Sequence, residues 1–288
     1  MASKAFELKR KFREHGISPK KWMGQNLLVD TRYLSRIVEA AAVEPGDRVV
    51  EVGAGFGDLT EALVRKGATV YALEIDAGFF RVLEEKFGDS HHVELVRADA
   101  LKYDFRELAA RIGRLRVVAN LPYNISSRLM FRFYEHREIF ASLSILLQKE
   151  VAQRLTADPG TKDYGILSVL LGVSARVRIL FDIPARAFYP VPAVTSTLVR
   201  ISFPLDPPVT ISDPELLTRL VKASFARRRK TLRNNLRDRL VTGVPSDIII
   251  DSANDAAIDL GRRGETLSPE EFVRLAEAIH ARQGRNAR

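Results

Sequence analysis

The sequence of 288 residues predicts an α/β chain: a mostly parallel, doubly wound sheet with an antiparallel edge, followed by a small all-helical C-terminal domain. Three observations predict it. Short apolar runs alternate with amphipathic segments up to about residue 203, the pattern of parallel strands joined by crossover helices. The first four of those runs end in glycine, acid or amide residues, at the edge where open α/β sheets place ligands. Pro204-Leu205-Asp206-Pro207-Pro208 then breaks the composition, and every pattern beyond it is helical.

The elements follow in order. Residues 1–22 are polar and basic, a flexible arm or short helix. Leu34, Ile37, Val38 and Ala41 lie on one face of a helix that Asp30 or Thr31 caps. Val49–Val52 is the first strand, and Gly53-Ala54-Gly55-Phe56-Gly57-Asp58 leads into a helix through Leu59, Ala62 and Leu63. Thr69–Ile75 is a second strand, and Phe79, Phe80, Leu83 and Phe87 mark the next helix. Val93–Arg97 is a third strand, Phe105–Ile112 a helix, and Leu115–Ala119 a fourth strand that delivers Asn120. Leu143–Leu147 precedes a helix through Val151 and Leu155. The runs Ile166–Val173, Val177–Ile183 and Thr197–Phe203 are expected to finish the sheet, the last two as an antiparallel edge. Beyond the break, Ser212-Asp213-Pro214 starts one helix, and Ser268-Pro269-Glu270-Glu271 is a capping box for another. The expected domains are a basic arm (1–22), a ligand-binding α/β domain (23–203), a linker (204–208) and a helical domain (209–288).

Composition narrows the function. A hydrophobic share of 46% supplies a core, and 28% charged residues argue against disorder. No apolar run approaches a membrane span, and the start lacks a signal-peptide core, so a cytoplasmic protein is expected. With no cysteine, thiolate zinc and iron–sulfur sites are excluded; five scattered histidines form no ligand pattern, and no metal is expected. The net charge of +9 is uneven. Lys4, Lys9, Arg10, Lys11, Arg13, Lys20 and Lys21 crowd the amino terminus, and Arg227, Arg228, Arg229, Lys230, Arg233, Arg237 and Arg239 form a second cluster. Two such patches beside an α/β domain fit contacts to a nucleic-acid backbone.

The glycine loop restricts the cofactor. A dinucleotide fold needs G-x-G-x-x-G, which from Gly53 places the third glycine at position 58; Asp58 stands there, and the glycine comes early as Gly57. A carboxylate beside a diphosphate is repelled, and no Gly-Lys-Ser/Thr follows for a phosphate loop. A cofactor with adenosine and no phosphate suits the spacing, and S-adenosylmethionine fits. Glu74, ending the second strand, is placed to accept from both ribose hydroxyls, and Asp99, ending the third, from the adenine amino group. At the end of the fourth strand, Asn120-Leu121-Pro122-Tyr123-Asn124-Ile125-Ser126 combines a planar amide, a stiffened turn and an aromatic face, the equipment for gripping the amino edge of a nucleobase.

With these residues assembled, the sequence resembles the KsgA/RsmA family of small-subunit ribosomal RNA adenine dimethyltransferases over nearly its whole length. The resemblance rests on Gly24-Gln25-Asn26-Leu27-Leu28, Glu51–Thr60, Glu74-Ile75-Asp76, Asp99-Ala100-Leu101, Asn120–Ser126, Gln148–Leu155, Phe188–Ser196 and Phe225–Leu236. It implies a Rossmann-like S-adenosylmethionine-dependent methyltransferase fold, and an enzyme placing two methyls on each of two adjacent adenosines near the 3′ end of 16S rRNA. The implied cofactor set is Gln25, Asn26, Leu28, Glu51, Gly53, Gly55, Glu74, Ile75, Asp99, Ala100 and Asn120. In the implied catalytic set, Asn120 with the Leu121 or Pro122 carbonyl accepts from the adenine amino group, and Tyr123 and Phe188 cover the two faces of the base. Lys20, Lys21, Arg227, Arg228, Arg229, Lys230 and Arg233 would hold rRNA in an immature 30S subunit, with the protein acting as a monomer. Met23 and Leu27 stand where Phe is common, and Phe56 where Leu is frequent, apolar exchanges at the cofactor mouth. Two rivals share the scaffold: an enzyme acting on large-subunit rRNA and conferring macrolide resistance, and a non-catalytic nucleic-acid-binding factor. The Leu after Asn120 and the Phe225–Leu236 segment lean away from the first, and the intact cofactor positions from the second. A dehydrogenase is the third alternative, which tight binding of a nicotinamide dinucleotide would revive.

Overall fold

A computed structural model describes residues 4–18, 26–206 and 209–286. Lys20, Lys21, Met23 and Gln25 therefore lie outside the described residues. By backbone contacts the chain forms two units, residues 1–152 with 178–203, and residues 153–177 with 204–288.

The first unit opens with helix α1 (Lys4–Glu14), strand β1 (Leu27–Leu28) and helix α2 (Thr31–Ala40). Strand and helix then alternate as β2 (Arg48–Val52), α3 (Asp58–Arg65), β3 (Thr69–Glu74), α4 (Ala77–Phe87), β4 (Val93–Arg97), α5 (Phe105–Ile112), β5 (Leu115–Asn120), α6 (Tyr123–Glu135) and β6 (Phe140–Gln148). The helix α7 (Lys149–Leu155) and helix α8 (Ile166–Ser174) precede the strands β7 (Arg176–Ile183), β8 (Phe188–Tyr189) and β9 (Ser196–Ser202).

Seven strands form one sheet in the order β4-β3-β2-β5-β6-β9-β7. The pairs β3–β4, β2–β3, β2–β5 and β5–β6 are parallel, whereas β6–β9 is antiparallel. The central strands are buried on both faces, with Val49, Val50, Val117 and Val118 almost fully covered, which is why they read as continuous apolar runs. Strand order reverses beside β2, so the ends of β2 and β5 diverge around a crevice. Asp30 caps α2, Asp76 caps α4 and Asp104 caps α5, each accepting from the backbone of the first turn.

Two expectations change. Ile166–Val173 is not a strand but helix α8. Val169, Leu170, Leu171 and Val173 are all buried, so the segment is apolar on every side and its helical period is invisible. Residues 153–177 accordingly pack with the C-terminal helices, and the second unit is discontinuous in sequence, unlike the continuous 23–203 and 209–288 expected. Of the flexible arm or short helix expected at the amino terminus, the helix is what forms over Lys4–Glu14, and it is docked: Leu8 and Phe12 of α1 join Ile17, Phe56, Phe79 and Val82 in a separate apolar cluster.

The second unit continues with the helices α9 (Pro214–Ser224), α10 (Leu232–Leu236), α11 (Arg239–Thr242), α12 (Ser246–Asp255) and α13 (Pro269–Asn286). Asp213 caps α9 with Pro214 in its first turn. Ser268 and Glu271 form the expected capping box: Ser268 N donates to Glu271 Oε2 at 2.8 Å, and Glu271 N to Ser268 Oγ at 3.3 Å.

Candidate active site

A cleft of about 300 Å³ opens at the carboxyl edge of the sheet, lined by residues from the ends of β2, β3, β5 and the segment after β4. Its wall contains Asn26, Gly53, Gly55, Glu74, Ile75, Asp99, Ala100, Asn120, Leu121 and Pro122, ten of the residues named from sequence. They are separated by up to 96 positions in the chain; parallel strand registers bring them to one edge.

The glycine loop takes its shape from local geometry. Gly53 has φ +77°, and a Cβ there would lie 3.7 Å from Pro122 Cδ, so the loop and the Asn-Leu-Pro-Tyr turn pass in direct contact. Gly57 has φ +75°, and a Cβ would fall 2.5 Å from the Phe87 ring. The early third glycine is therefore required by packing against α4. Asp58 then begins α3, where a negative charge is favourable.

Glu74, Asp99 and Asn120 are each held from behind. Glu74 Oε2 accepts from Gly55 N at 2.9 Å and Oε1 from Asp76 N at 2.8 Å. A carboxylate oxygen has a second lone pair, so both atoms retain capacity for a ligand hydroxyl. Burial pushes the Glu74 carboxyl above the ordinary carboxylate range, and those backbone amides pull against the shift. Asp99 Oδ1 accepts from Leu101 N at 2.9 Å. Asn120 Nδ2 donates to Asn26 O at 2.8 Å, which fixes the amide orientation. Its Oδ1 has no partner among the described residues. Pro122 O is taken by the first turn of α6, accepting from Ile125 N and Ser126 N at 3.1 Å. Of the two carbonyls considered as the second acceptor, Leu121 is the one left by the turn.

Four expected residues, Leu28, Glu51, Tyr123 and Phe188, lie away from the cleft wall. Leu28 is buried in β1 and faces a smaller cavity together with Glu51. Tyr123 is half-buried, with its hydroxyl 2.5 Å from Ser196 Oγ on β9. Phe188, expected to cover one face of a base, is instead 1% exposed, paired with Leu28 between β1 and β8 and packed in the main core. Its ring serves packing, and the two-ring clamp is not assembled. An alternating pattern would have revealed this, but β8 is too short to show one.

Leu27, expected at the cofactor mouth, is in the wall, and sequence reasoning missed Phe79, Leu101, Asn124, Ile125 and Arg128 there. Asn124, Ile125 and Arg128 share one face of α6, a spacing of i, i+1, i+4 that the motif itself carries. Arg132, one turn further, donates to Leu101 O at 2.7 Å and also bonds Tyr103 O, which sets this face against the loop carrying Asp99.

In the second unit, Arg227, Arg228, Arg229 and Lys230 are exposed on the turn between α9 and α10. Asn235 shapes that turn from inside, donating through Nδ2 to Ser224 O at 2.8 Å and Arg227 O at 3.2 Å. Arg228 is engaged with Glu265 and with Thr161 O at 3.1 Å. Arg227, Arg229 and Lys230 have no side-chain partner among the described residues. Arg233 is exposed on α10 beside Arg237.

Among the described residues no helix is long and apolar enough to cross a membrane, and no group of three or more acids and histidines could hold a metal ion.

Residues 17–280 match the family described as ribosomal RNA adenine dimethylase. The ribosomal RNA small subunit methyltransferase A of Geobacter metallireducens is 43% identical over 276 residues, 95% of this chain and 100% of its own. Two solved structures share the fold. A dimethyladenosine transferase from Plasmodium falciparum has a TM-score of 0.74 at 24% identity, covering 89% of this chain and 98% of its own. The 23S rRNA methyltransferase ErmE has a TM-score of 0.63 at 24% identity, covering 88% of this chain and 100% of its own. The fold is thus common to proteins named for different targets, and the relatives' sequences, not the superposition, give the assignment. On the matched length and this identity, the chain belongs to the ribosomal RNA adenine dimethylase family.

Proposed function

We propose that the protein uses S-adenosylmethionine to place two methyls on N6 of each of two adjacent adenosines near the 3′ end of 16S rRNA, acting as a monomer on the immature small subunit. The observation that carries this reading is the state of Asn120: its amino group is tied to Asn26 O at 2.8 Å, and its carbonyl oxygen is left for a ligand donor in the same cleft as Glu74 and Asp99.

The residues present fit the methyl donor. The cleft offers two carboxylates at successive strand ends and a glycine loop that lines it at Gly53 and Gly55. Glu74 would hold the ribose hydroxyls and Asp99 the adenine amino group, with Ile75, 47% exposed on the wall, lying against the ring. Asn26 and Leu28 would close over the methionine end. Bound there, S-adenosylmethionine supplies an electrophilic methyl on a sulfonium.

The protein's part in the chemistry is to make a poor nucleophile better. The lone pair of an exocyclic adenine nitrogen is delocalised into the ring. Asn120 Oδ1 and Leu121 O accept its two N–H bonds, which favours a more tetrahedral nitrogen aimed at the methyl carbon. Positioning and electrostatics supply most of the acceleration. The nitrogen becomes acidic only once alkylated, so the motif needs no strong base. Tyr123 would stack on the target base, contributing on the order of 1–3 kcal/mol. The base must leave any helix to reach the cleft, so an extruded or loop adenosine is the substrate. Arg227, Arg229 and Lys230 would meet rRNA phosphates, with Arg228 holding the turn and Arg233 extending the basic surface.

The test is methyl transfer from labelled donor to precursors of the 30S and 50S subunits, side by side, from a strain lacking these modifications. Label on 30S alone is expected. Label on 50S alone overturns the assignment, and cofactor binding without transfer to either points to a non-catalytic RNA-binding role.

A further inference from the structure

Nine large apolar side chains stand exposed among the described residues, and three of them, Leu240, Val241 and Ile250, fall within eleven positions of the second unit. Scattered exposed apolar residues are ordinary, but a group of them marks a contact surface. Leu240, on α11, is 97% exposed.

The short helix that carries it is held in place. Asp238 Oδ1 accepts from Leu240 N at 2.9 Å, and Ser246 Oγ donates to Arg237 O at 2.8 Å. At the other end Arg219 Nε donates to Thr242 O at 3.2 Å, and Val244 N donates to Thr242 Oγ1 at 3.2 Å. Gly243, at φ +74°, ends the helix. Braced by α9 and by the start of α12, α11 presents an apolar side chain on a fixed backbone.

The surroundings are cationic. From Arg227 to Arg239 the chain has seven arginines and lysines and one acid, Asp238, whose carboxylate caps α11. Arg233, Arg237 and Arg239 are exposed and have no side-chain partner among the described residues. Arg233 and Arg237 line a cavity of about 40 Å³ together with Leu236, Ile249 and Ile250, so the exposed Ile250 lies beside the same cations. Asp251 and Asp255 of α12 are drawn to Arg282, and Asp247 lies in the first turn of that helix. Phosphate oxygens complement this surface, but they offer nothing to a projecting leucine. The part of a nucleic acid that does is a base face, and RNA bares base faces in loops, bulges and helix ends. An apolar side chain set against unstacked bases, between basic side chains that hold the backbone, is a general way of gripping nucleic acid.

We propose that α11 is a wedge for rRNA: Leu240 lies against the face of an unstacked base of the small-subunit RNA, while Arg237 and Arg239 hold the flanking phosphates. The proposal rests on the substrate reading above and adds a contact that charge alone does not supply. Its signature is a part of the affinity that does not depend on salt, since an apolar contact releases no counterions.

The test uses the full chain and 30S precursor from a strain lacking the modification, with binding measured across a salt series. Leu240→Ser should weaken binding about tenfold, within what burying part of a leucine contributes, and by the same factor at every salt concentration. Leu240→Met should retain most of the affinity. Arg237→Ala and Arg239→Ala should each reduce the slope of log affinity against log salt by about 1. Because the side chain is exposed, the urea midpoint of Leu240→Ser should match wild type. The chain has no cysteine, so Leu240→Cys supplies a single thiol for an aryl azide, whose photo-crosslink on the 30S precursor should reach rRNA. Crosslinking to a ribosomal protein or to a second copy of the chain overturns the inference, as does Leu240→Ser binding as tightly as wild type. If wild type itself does not bind the 30S precursor, the substrate reading fails and takes the inference with it.

Discussion

The cleft of the first unit and the basic turn of the second are both announced by short motifs, yet they are built in opposite ways. In the cleft the polar groups that would meet the ligand are anchored: Glu74 to two backbone amides, Asp99 to Leu101 N, Asn120 to Asn26 O. On the turn the backbone is held by Asn235, but Arg227, Arg229 and Lys230 extend without partners among the described residues. A small ligand with fixed geometry is recognised by groups that have already lost their freedom, so little ordering is left for binding to pay. A polyanion is recognised by charge, where counterion release dominates and side-chain geometry matters less. The contrast predicts that substitutions in the cleft change turnover and cofactor affinity, and that those on the turn change salt-dependent RNA affinity.

The largest expected effect is at Asn120. Asn120→Ala removes the acceptor for the adenine amino group and should lower turnover by about 10²–10³-fold, as loss of one aimed hydrogen-bonding group does elsewhere. Cofactor affinity, measured by calorimetry, should change far less. Next is Glu74→Ala, which should weaken cofactor binding about 10–100-fold. It also leaves the amides of Gly55 and Asp76 without their acceptor, at a stability cost of roughly 1–3 kcal/mol each; Glu74→Gln should spare more of the fold than of the affinity.

Glu51 probes the interior side of the comparison. Its folded-state value near 8 lies above the ordinary 4.5, so the folded chain binds the proton more tightly than the unfolded chain. Its contribution to stability is fully present below about pH 4.5 and is lost as pH rises toward 8, with a slope of up to about 1.4 kcal/mol per pH unit. Urea midpoints of wild type and Glu51→Gln should therefore converge at acid pH and separate at pH 8, with the variant the more stable there. Parallel profiles would sink the assignment.

The smallest effects are expected on the turn. Alanine at Arg227, Arg229 or Lys230 should lower RNA affinity a fewfold and reduce the slope of log affinity against log salt by about 1 each, leaving cofactor affinity alone. Arg228→Ala differs, because that side chain is engaged with Glu265 and Thr161; its exposed pair is worth at most about 1 kcal/mol to the fold. A changed cofactor Kd in any of the three partnerless positions would blur the division between the two regions.

The sheet was legible in sequence because parallel strands buried on both faces appear as plain apolar runs, each ending at the edge where the cleft forms. Glu74, Asp99 and Asn120 were found by that position alone. Ile166–Ser174 was misread for the same reason: a helix buried all round has no polar face to expose its period. Phe188 was misplaced because its neighbour across the sheet, Leu28, is set by a two-residue pairing that no local pattern announces. The basic residues of α1 left a flexible arm and a short helix both open, and Leu8 and Phe12, hidden among them, are what dock the helix. Arg128 was passed over because the motif draws attention to its start, although the same helical face carries Asn124 and Ile125 into the cleft wall.

The central claim is that Asn120 orients an adenine amino group for methylation. It is tested most directly by digesting small-subunit rRNA after reaction and measuring its methylated nucleosides by mass spectrometry, for wild type and Asn120→Ala at matched cofactor saturation. Wild type should yield N6,N6-dimethyladenosine from the 3′ end of 16S rRNA, and the variant should yield it at least 100-fold more slowly, in line with removal of an aimed hydrogen-bonding group. Undiminished dimethyladenosine from Asn120→Ala would contradict the account.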